Sequence, residues 1–460
     1  MTELAPTRPR RARAVLTLCP NALLACGAFA GLFFVSWLGA LGALLFLACG
    51  LSLFLLAPRE AAGGLVDNGP ILLLPAWCIL SFAWSAHPEL SMRYGIQLAL
   101  TVAIGIAMAT RLSPGTLLRA LFHAGLLAAV ASVLFGRARG DGGGYLGIYA
   151  SKNDFGFAMV IVLCAATALT LGRDTGLRLR VLAGGAMLLS LALIVMAQSL
   201  GWLVAGTGLV AIGILVVLLR IVSVPLRILS VVLALLAMAA LVQYAVIRAD
   251  AFLVLFTETT GKDPTLTGRT LLWRVALEEI AQAPILGQGF GAWWVRGNPQ
   301  AEAIWQQFGI ASRTGFHFHN TWLSNWVEIG AVGAALQAAV FAWALWGSVR
   351  RALLVEGGES LFFAMLMVTL TVMSLGEVVA FMQFHTASVL VVAAAVFASR
   401  ARREGILARS TRRALPKLHL SPMPEAERPG SGRIISTRSP GSSGVPGSAS
   451  IPSPPSRKMR

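Results

Sequence analysis

Charge is the scarcest property of this sequence. Asp, Glu, Lys and Arg make up 12% of its 460 residues, against 57% apolar residues, and the mean hydropathy is +0.75. A water-soluble domain cannot carry that balance on its surface, so soluble globular folds are excluded. Cysteine is thin as well. Cys19, Cys26, Cys49, Cys78 and Cys164 all fall inside or beside apolar runs, at spacings that make neither a disulfide framework nor a metal site. They read as small buried hydrophobes.

What the sequence has in abundance is apolar runs of about twenty residues, each long enough to cross a bilayer. They fall near 16–36, 38–57, 70–86, 93–110, 114–135, 154–171, 181–198, 201–219, 225–246, 320–347, 360–376 and 379–398. The expected fold is therefore all-α: a polytopic membrane protein of about twelve transmembrane helices, or eleven to thirteen given its tight hairpins. Four Arg precede Val15, but apolar sequence continues past Pro20 and Asn21, so a retained first span is expected rather than a cleaved signal peptide.

The net charge of +17 suggests nucleic acid until it is mapped: residues 400–460 hold 13 Lys or Arg against 3 Glu. Most of the excess is a tail rich in Ser, Pro, Gly and Arg, read as a disordered basic segment near anionic lipid. No nucleic-acid partner is expected. Residues 1–14 form a basic amino terminus and 15–399 the membrane domain. Placing both termini in the cytoplasm puts Arg59, Arg111, Arg119, Arg173, Arg220, Arg350 and Arg351 on one side, as the positive-inside rule requires. The opposite, outer face then receives the Gly-rich loop 136–153 and one large periplasmic loop, 247–319. No internal repeat is legible, which speaks against repeat arrays and inverted-repeat transporters.

The large loop carries most of the polar chemistry. From Thr267 it reads TGRTLLWRVALEEIAQAP, a short interfacial helix with Thr270 as its cap, Glu278 and Glu279 on its solvent face, and Pro284 past its end. Arg269 and Arg274 sit near the amino end, where N–H groups and the dipole attract anions. Two readings stay open: a phosphate cradle, or Arg side chains snorkelling to lipid headgroups. Gly287 to Trp294, GQGFGAWW, has the look of a dinucleotide fingerprint but lacks the strand and helix that would make it one. His317, His319 and Asn320 precede the tenth span. A structural role, a metal pair and a general base all stay open, the last being the most economical for an imidazole. Lys152 and Asn153, at the mouth of the sixth span, read either as a lipid anchor or as a further outer cation with its neighbour. Glu377, Gln383 and His385 either line a cavity or cap a hairpin.

These residues together resemble the O-antigen ligase and polysaccharide polymerase superfamily, whose signature is His-Asn, nine residues, Gly, two residues, Gly. Here His319-Asn320 is followed by nine residues to Gly330 and then Gly333. The upstream Thr-Gly-Arg-Thr helix and Pro-x-x-Gly-x-Gly turn are most similar to the exopolysaccharide polymerase branch. Lys152-Asn153 with Gly156, and Trp84-Ser85 with Pro88 and Ser91, are also similar, so the resemblance runs from about residue 70 to 398. One departure is Ser199-Leu200, where many members carry Ser-Arg.

The resemblance implies a GT-C-like, membrane-embedded glycosyltransferase in the bacterial inner membrane, working without metal or cofactor at the periplasmic face. Its donor would be a polyprenyl-diphosphate-linked glycan, its acceptor a sugar hydroxyl, its surroundings membrane lipid, with polysaccharide export or chain-length proteins as further partners. His319 would be the base, Arg269 and Arg274 the diphosphate clamp, Lys152 an auxiliary cation, Asn153 and Asn320 orienting groups, and Gly330 and Gly333 structural. Polymerase and ligase differ only in the acceptor. A transporter of lipid-linked glycan that breaks no bond is the competing class.

Overall fold

The computed structural model describes residues 19–140, 142–223, 268–313 and 316–414, with a few positions between 225 and 233. The order of elements is α1 (Pro20–Leu38), α2 (Ala40–Leu56), α3 (Pro58–Asp67), α4 (Gly69–Leu80), α5 (Pro88–Arg111), α6 (Pro114–Phe135), β1 (Arg137–Ala138), β2 (Tyr145–Gly147), α7 (Lys152–Leu171), α8 (Leu177–Met196) and α9 (Leu200–Leu219). Then follow α10 (Arg269–Gln282), α11 (Pro299–Gln307), α12 (Thr321–Leu354), α13 (Gly358–Met373) and α14 (Thr386–Ala414). Many helices begin where the sequence says they should. Pro20, Pro58, Pro88, Pro114 and Pro299 occupy first helical positions, where the missing N–H costs nothing. Ser113 and Ser151 accept from backbone N–H groups at the starts of α6 and α7, the usual remedy for orphan donors.

Among the described residues seven helices are long and apolar enough to cross a membrane, or eight if α2 and α3, bent by 102°, form one span. The seven are α1, α5 to α9 and α12. Helices α4, interrupted by Pro75, and α13 are apolar but shorter. The run expected at 225–246 lies almost wholly outside the described residues. This is a multi-pass membrane protein. Helix α14 continues to Ala414, so the boundary read at residue 399 falls inside a helix; residues 415–460 are outside the description.

Helix α7 is the axis of the bundle: every residue from Phe155 to Leu169 is buried. By contrast α8 and α9 turn Leu177, Val181, Leu188, Val195, Val204 and Leu218 outward, the pattern of helices facing lipid. Cys78 and Cys164 are buried as expected, Cys26 and Cys49 are half-buried, and Cys19 is exposed. One end of the bundle is tied by arginines on helix-terminal carbonyls and acids: Arg111 with Glu60 at 3.1 Å, Arg220 to Val355 and Gly357, and Arg227 to Leu219 at 3.0 Å. The other end carries the site.

Candidate active site

The Gly330 signature residue breaks a helix. Inside α12 its φ is 64° and ψ −173°, a conformation that only glycine adopts without strain. The break frees backbone groups on both sides, and in an apolar setting each must find a partner. The turn 284–289 supplies most of them. Gln288 and Gly289 N–H donate to the Val327 and Glu328 carbonyls at 2.9 and 2.8 Å, and Ala331 N–H donates to Pro284 at 2.9 Å. Trp77 Nε1 takes the Ile329 carbonyl at 2.9 Å, while Trp326 Nε1 reaches Pro284 at 3.0 Å. A Cβ on Gly330 would collide with the Ile285 carbonyl, and one on Gly287 with Gly330 N–H. The Pro-x-x-Gly-x-Gly turn and the Gly-x-x-Gly break are thus one interlocked unit. A Cβ on Gly289 would strike Ser85, whose hydroxyl bonds Ser91 at 2.9 Å. The early Trp84-Ser85 segment therefore packs against the same turn.

This unit fixes the start of α12. Asn320 is its N-cap, its Oδ1 accepting from Trp322 and Leu323 N–H at 2.9 and 3.0 Å and its Nδ2 donating to the Leu375 carbonyl at 3.1 Å. Thr321 Oγ1 donates to the Glu377 carbonyl at 2.7 Å and accepts Val379 N–H at 3.1 Å. The α12 amino end and the 374–385 loop are thereby clamped together. His319, just before the cap, is held at φ +49°, an uncommon region for a residue with a Cβ and one that collects at functional positions.

At the centre stands Glu377, 7% exposed. Its Oε2 lies 2.9 Å from His319 Nδ1. Its Oε1 accepts from an Arg269 guanidinium nitrogen and from Asn153 Nδ2 at 3.4 Å. Asn153 Oδ1 in turn accepts from Ser199 Oγ at 3.3 Å, so the Ser of the departing Ser199-Leu200 pair supports the same carboxylate. Burial pushes the Glu377 carboxyl up, but the His319 hydrogen bond, with the neighbouring Arg269 guanidinium, outweighs it and holds it below the usual range. His317 stacks edge-on to His319 at 4.4 Å, and its Nδ1 accepts the His319 N–H at 3.1 Å. Burial, then the neighbouring His319, drives the His317 pKa down to about 3; near neutral pH it is uncharged.

The sequence-predicted residues divide. His319, Arg269 and Asn153 converge on Glu377. Asn320 is committed to the backbone, and Gly330 and Gly333 shape the helix. Lys152 is the first residue of α7, half-buried beside Asn153. Arg274 stands apart: its side chain is 70% exposed, with Glu278 at 4.0 Å on the same helix. Two readings of α10 are corrected. Its cap is Gly268, at φ +81°, with Arg269 already helical, so Thr270 lies inside the first turn. Glu279 is 4% exposed rather than solvent-facing, because Gln288 of the interlocked turn reaches back to it.

Glu377 is the residue whose role the sequence left open between cavity wall and hairpin cap. The hint was a Glu in otherwise apolar surroundings; its partners lie 58 and 108 positions away. Beside it opens a cavity of about 390 Å³, bordered by Glu377, His317, Asn153, Glu328, Trp202 and Gln383 among others. His317, His319 and Glu377 also bring ligand-type atoms within 4.8 Å of one another. However, both Glu377 oxygens already hold donors and His317 Nδ1 holds a backbone N–H, so the set as built suits a proton relay better than a metal.

A family model described as O-antigen ligase matches residues 184–338. The exopolysaccharide production protein ExoQ of Rhizobium meliloti (strain 1021) is 31% identical over 360 residues, covering 74% of this chain and 81% of that protein. The chain belongs to the O-antigen ligase family. The O-antigen ligase match contains Arg269, His319, Gly330 and Gly333 and stops short of Glu377. Asn153 and Glu377 reach the family's signature residues through space, from α7 and from the loop before α14.

Proposed function

We propose that the protein is a metal-independent glycosyltransferase of exopolysaccharide or O-antigen biosynthesis, joining polyprenyl-diphosphate-linked glycan to a sugar hydroxyl at the periplasmic face of the inner membrane. The observation that carries this reading is that one carboxylate, Glu377, holds an imidazole and a guanidinium at once. With Nδ1–H engaged by Glu377, His319 keeps Nε2 as the lone-pair nitrogen, the atom that takes a proton. Arg269 retains N–H donors beyond the one given to Glu377.

The step then balances. The acceptor oxygen attacks the anomeric carbon and its proton passes to His319 Nε2. The carbon–oxygen bond to the diphosphate breaks, with the electron pair leaving on the diphosphate oxygen. Arg269 stabilises that developing charge by preorganised, charge-assisted hydrogen bonds. Asn153 and Glu377 orient; Arg274 and Lys152 supply further positive charge to the diphosphate. Both termini lie in the cytoplasm. The name of the ExoQ relative favours polysaccharide building over ligation to a lipid or protein acceptor.

The test is chain growth by purified protein supplied with lipid-linked repeat units. His319→Ala and Arg269→Ala should each abolish it; growth undiminished in both variants removes the assignment. Carrier lipid crossing vesicles with glycan length unchanged would favour transport instead.

A further inference from the structure

The cavity beside Glu377 has a charge pattern unlike the Arg269 side of the same carboxylate. Asp154, Glu328 and Glu377 border it, and among the described residues no Lys or Arg does. Glu377 is neutralised by Arg269, but Glu328 accepts the Gly291 N–H at 2.9 Å and makes no ion pair with any described residue. A diphosphate entering here would meet carboxyl groups and none of the described cations. Sugar hydroxyls are the opposite case, since they donate to carboxylates in charge-assisted bonds. Much of the remaining wall is aromatic, with Phe157, Trp202, Phe290, Trp294 and Phe381 beside the polar Asn153, Ser324 and Asn325, and Phe157 is already stacked on His385 at 4.8 Å. Gln383 borders the cavity, and its amide makes no hydrogen bond to a described residue. Apolar faces with a few placed polar groups are what a small-molecule site requires.

We infer that this cavity holds the uncharged terminal sugar ring of the acceptor glycan, with Glu328 and Gln383 as specificity-determining residues. The inference rests on the glycosyltransferase reading. The donor's reacting sugar stays joined to its diphosphate, which Arg269 attracts and the acidic wall repels. A ring lodged in the cavity presents a hydroxyl to the His319–Glu377 pair, because Glu377 belongs to both. Acceptors ending in an acidic sugar are excluded by the same wall that holds a neutral one.

The experiment uses the full chain in detergent and the saccharide released by mild acid from the lipid-linked material that accumulates in cells lacking the protein. Binding is followed by intrinsic fluorescence, since Trp202 and Trp294 line the cavity. The released saccharide should bind, and the same saccharide with its primary hydroxyls oxidised to carboxylates should bind about tenfold more weakly. Gln383→Ala should weaken the neutral saccharide by about fivefold or more, leaving bare polyprenyl diphosphate unaffected. Glu328→Gln should shrink the neutral-over-acidic preference. Equal binding of neutral and oxidised saccharide would overturn the inference, as would loss of bare diphosphate binding in step with saccharide binding. The wild-type comparison needs no variant to fold, and Gln383 supports no other described residue. A protein that prefers the neutral saccharide yet extends no chain fails only the transferase reading; one that extends chains without that preference fails only this one.

Discussion

His319 Nδ1 and Glu377 Oε2 are 2.9 Å apart, and the second oxygen of that carboxylate holds Arg269. In the proposed reaction Glu377 is thus the positioning residue for both base and cation. Glu377→Gln keeps the shape but loses the charge, and should lower the rate of chain growth about a hundredfold. Glu377→Asp should recover part of it. Glycan length per unit time with purified protein measures both, and an unimpaired Gln variant would remove Glu377 from the mechanism.

Arg269 and Arg274 should separate. Arg269 is three-quarters buried against Glu377, and its planar fork is not reproduced by an ammonium, so Arg269→Lys should be strongly impaired. Arg274 is exposed and its pairing with Glu278 is a long 4.0 Å, which contributes less than about 1 kcal/mol to stability. Arg274→Ala should leave the melting temperature within error while weakening donor affinity. A loss of fold in that variant would contradict its placement.

Gly330→Ala should destabilise the protein by about 1–3 kcal/mol or more, since it combines backbone strain with collision against Ile285. Gly184→Ala, in α8 with nothing within 4 Å of the added carbon, should be neutral or stabilising by up to about 1 kcal/mol. Thermal unfolding in detergent distinguishes the two. Equal effects would mean that the break at residue 330 is dispensable.

Acid should unfold the protein earlier than its few carboxylates alone suggest. His317 and Glu377 are both depressed in the fold, to about 3 for His317. In each case the unfolded chain binds protons first as the pH falls, so stability rises with pH. The His317 contribution is complete above its unfolded value of about 6.5 and is lost on the way down to about 3. The Glu377 contribution is lost below the ordinary carboxylate range. As the pH drops from about 6.5 to about 3, the melting temperature of His317→Gln should fall less steeply than that of the wild type.

Chelators should not affect turnover, because Glu377 gives its oxygens to His319, Arg269 and Asn153. Activity lost in EDTA and restored by magnesium would show that His317, His319 and Glu377 hold an ion after all.

Arg269 and His319 stood out as polar residues of the outer loop, whereas Gly330 and Gly333 were singled out only by the signature that the family resemblance carries. What the spacing did not disclose is why Gly330 is there: its backbone break, and the turn 284–289 that absorbs it, are contacts between distant segments. The same holds for Glu377, which finds its partners only through folding, and for Glu279, whose burial depends on Gln288. Membrane spans were legible as apolar runs, but the bend between α2 and α3 and the shortness of α4 and α13 depend on packing that hydropathy does not report.

The break at Gly330 also sets a depth. Residues 331–354 alone rise about 36 Å at 1.5 Å per residue, more than the roughly 30 Å thickness of hydrocarbon. The short stretch 321–329 is then not needed for the crossing, and under the proposed function it would stand as a step at the level of the phosphate headgroups. A carrier whose tail stays dissolved among its neighbours would deliver its pyrophosphate to that step without leaving the leaflet.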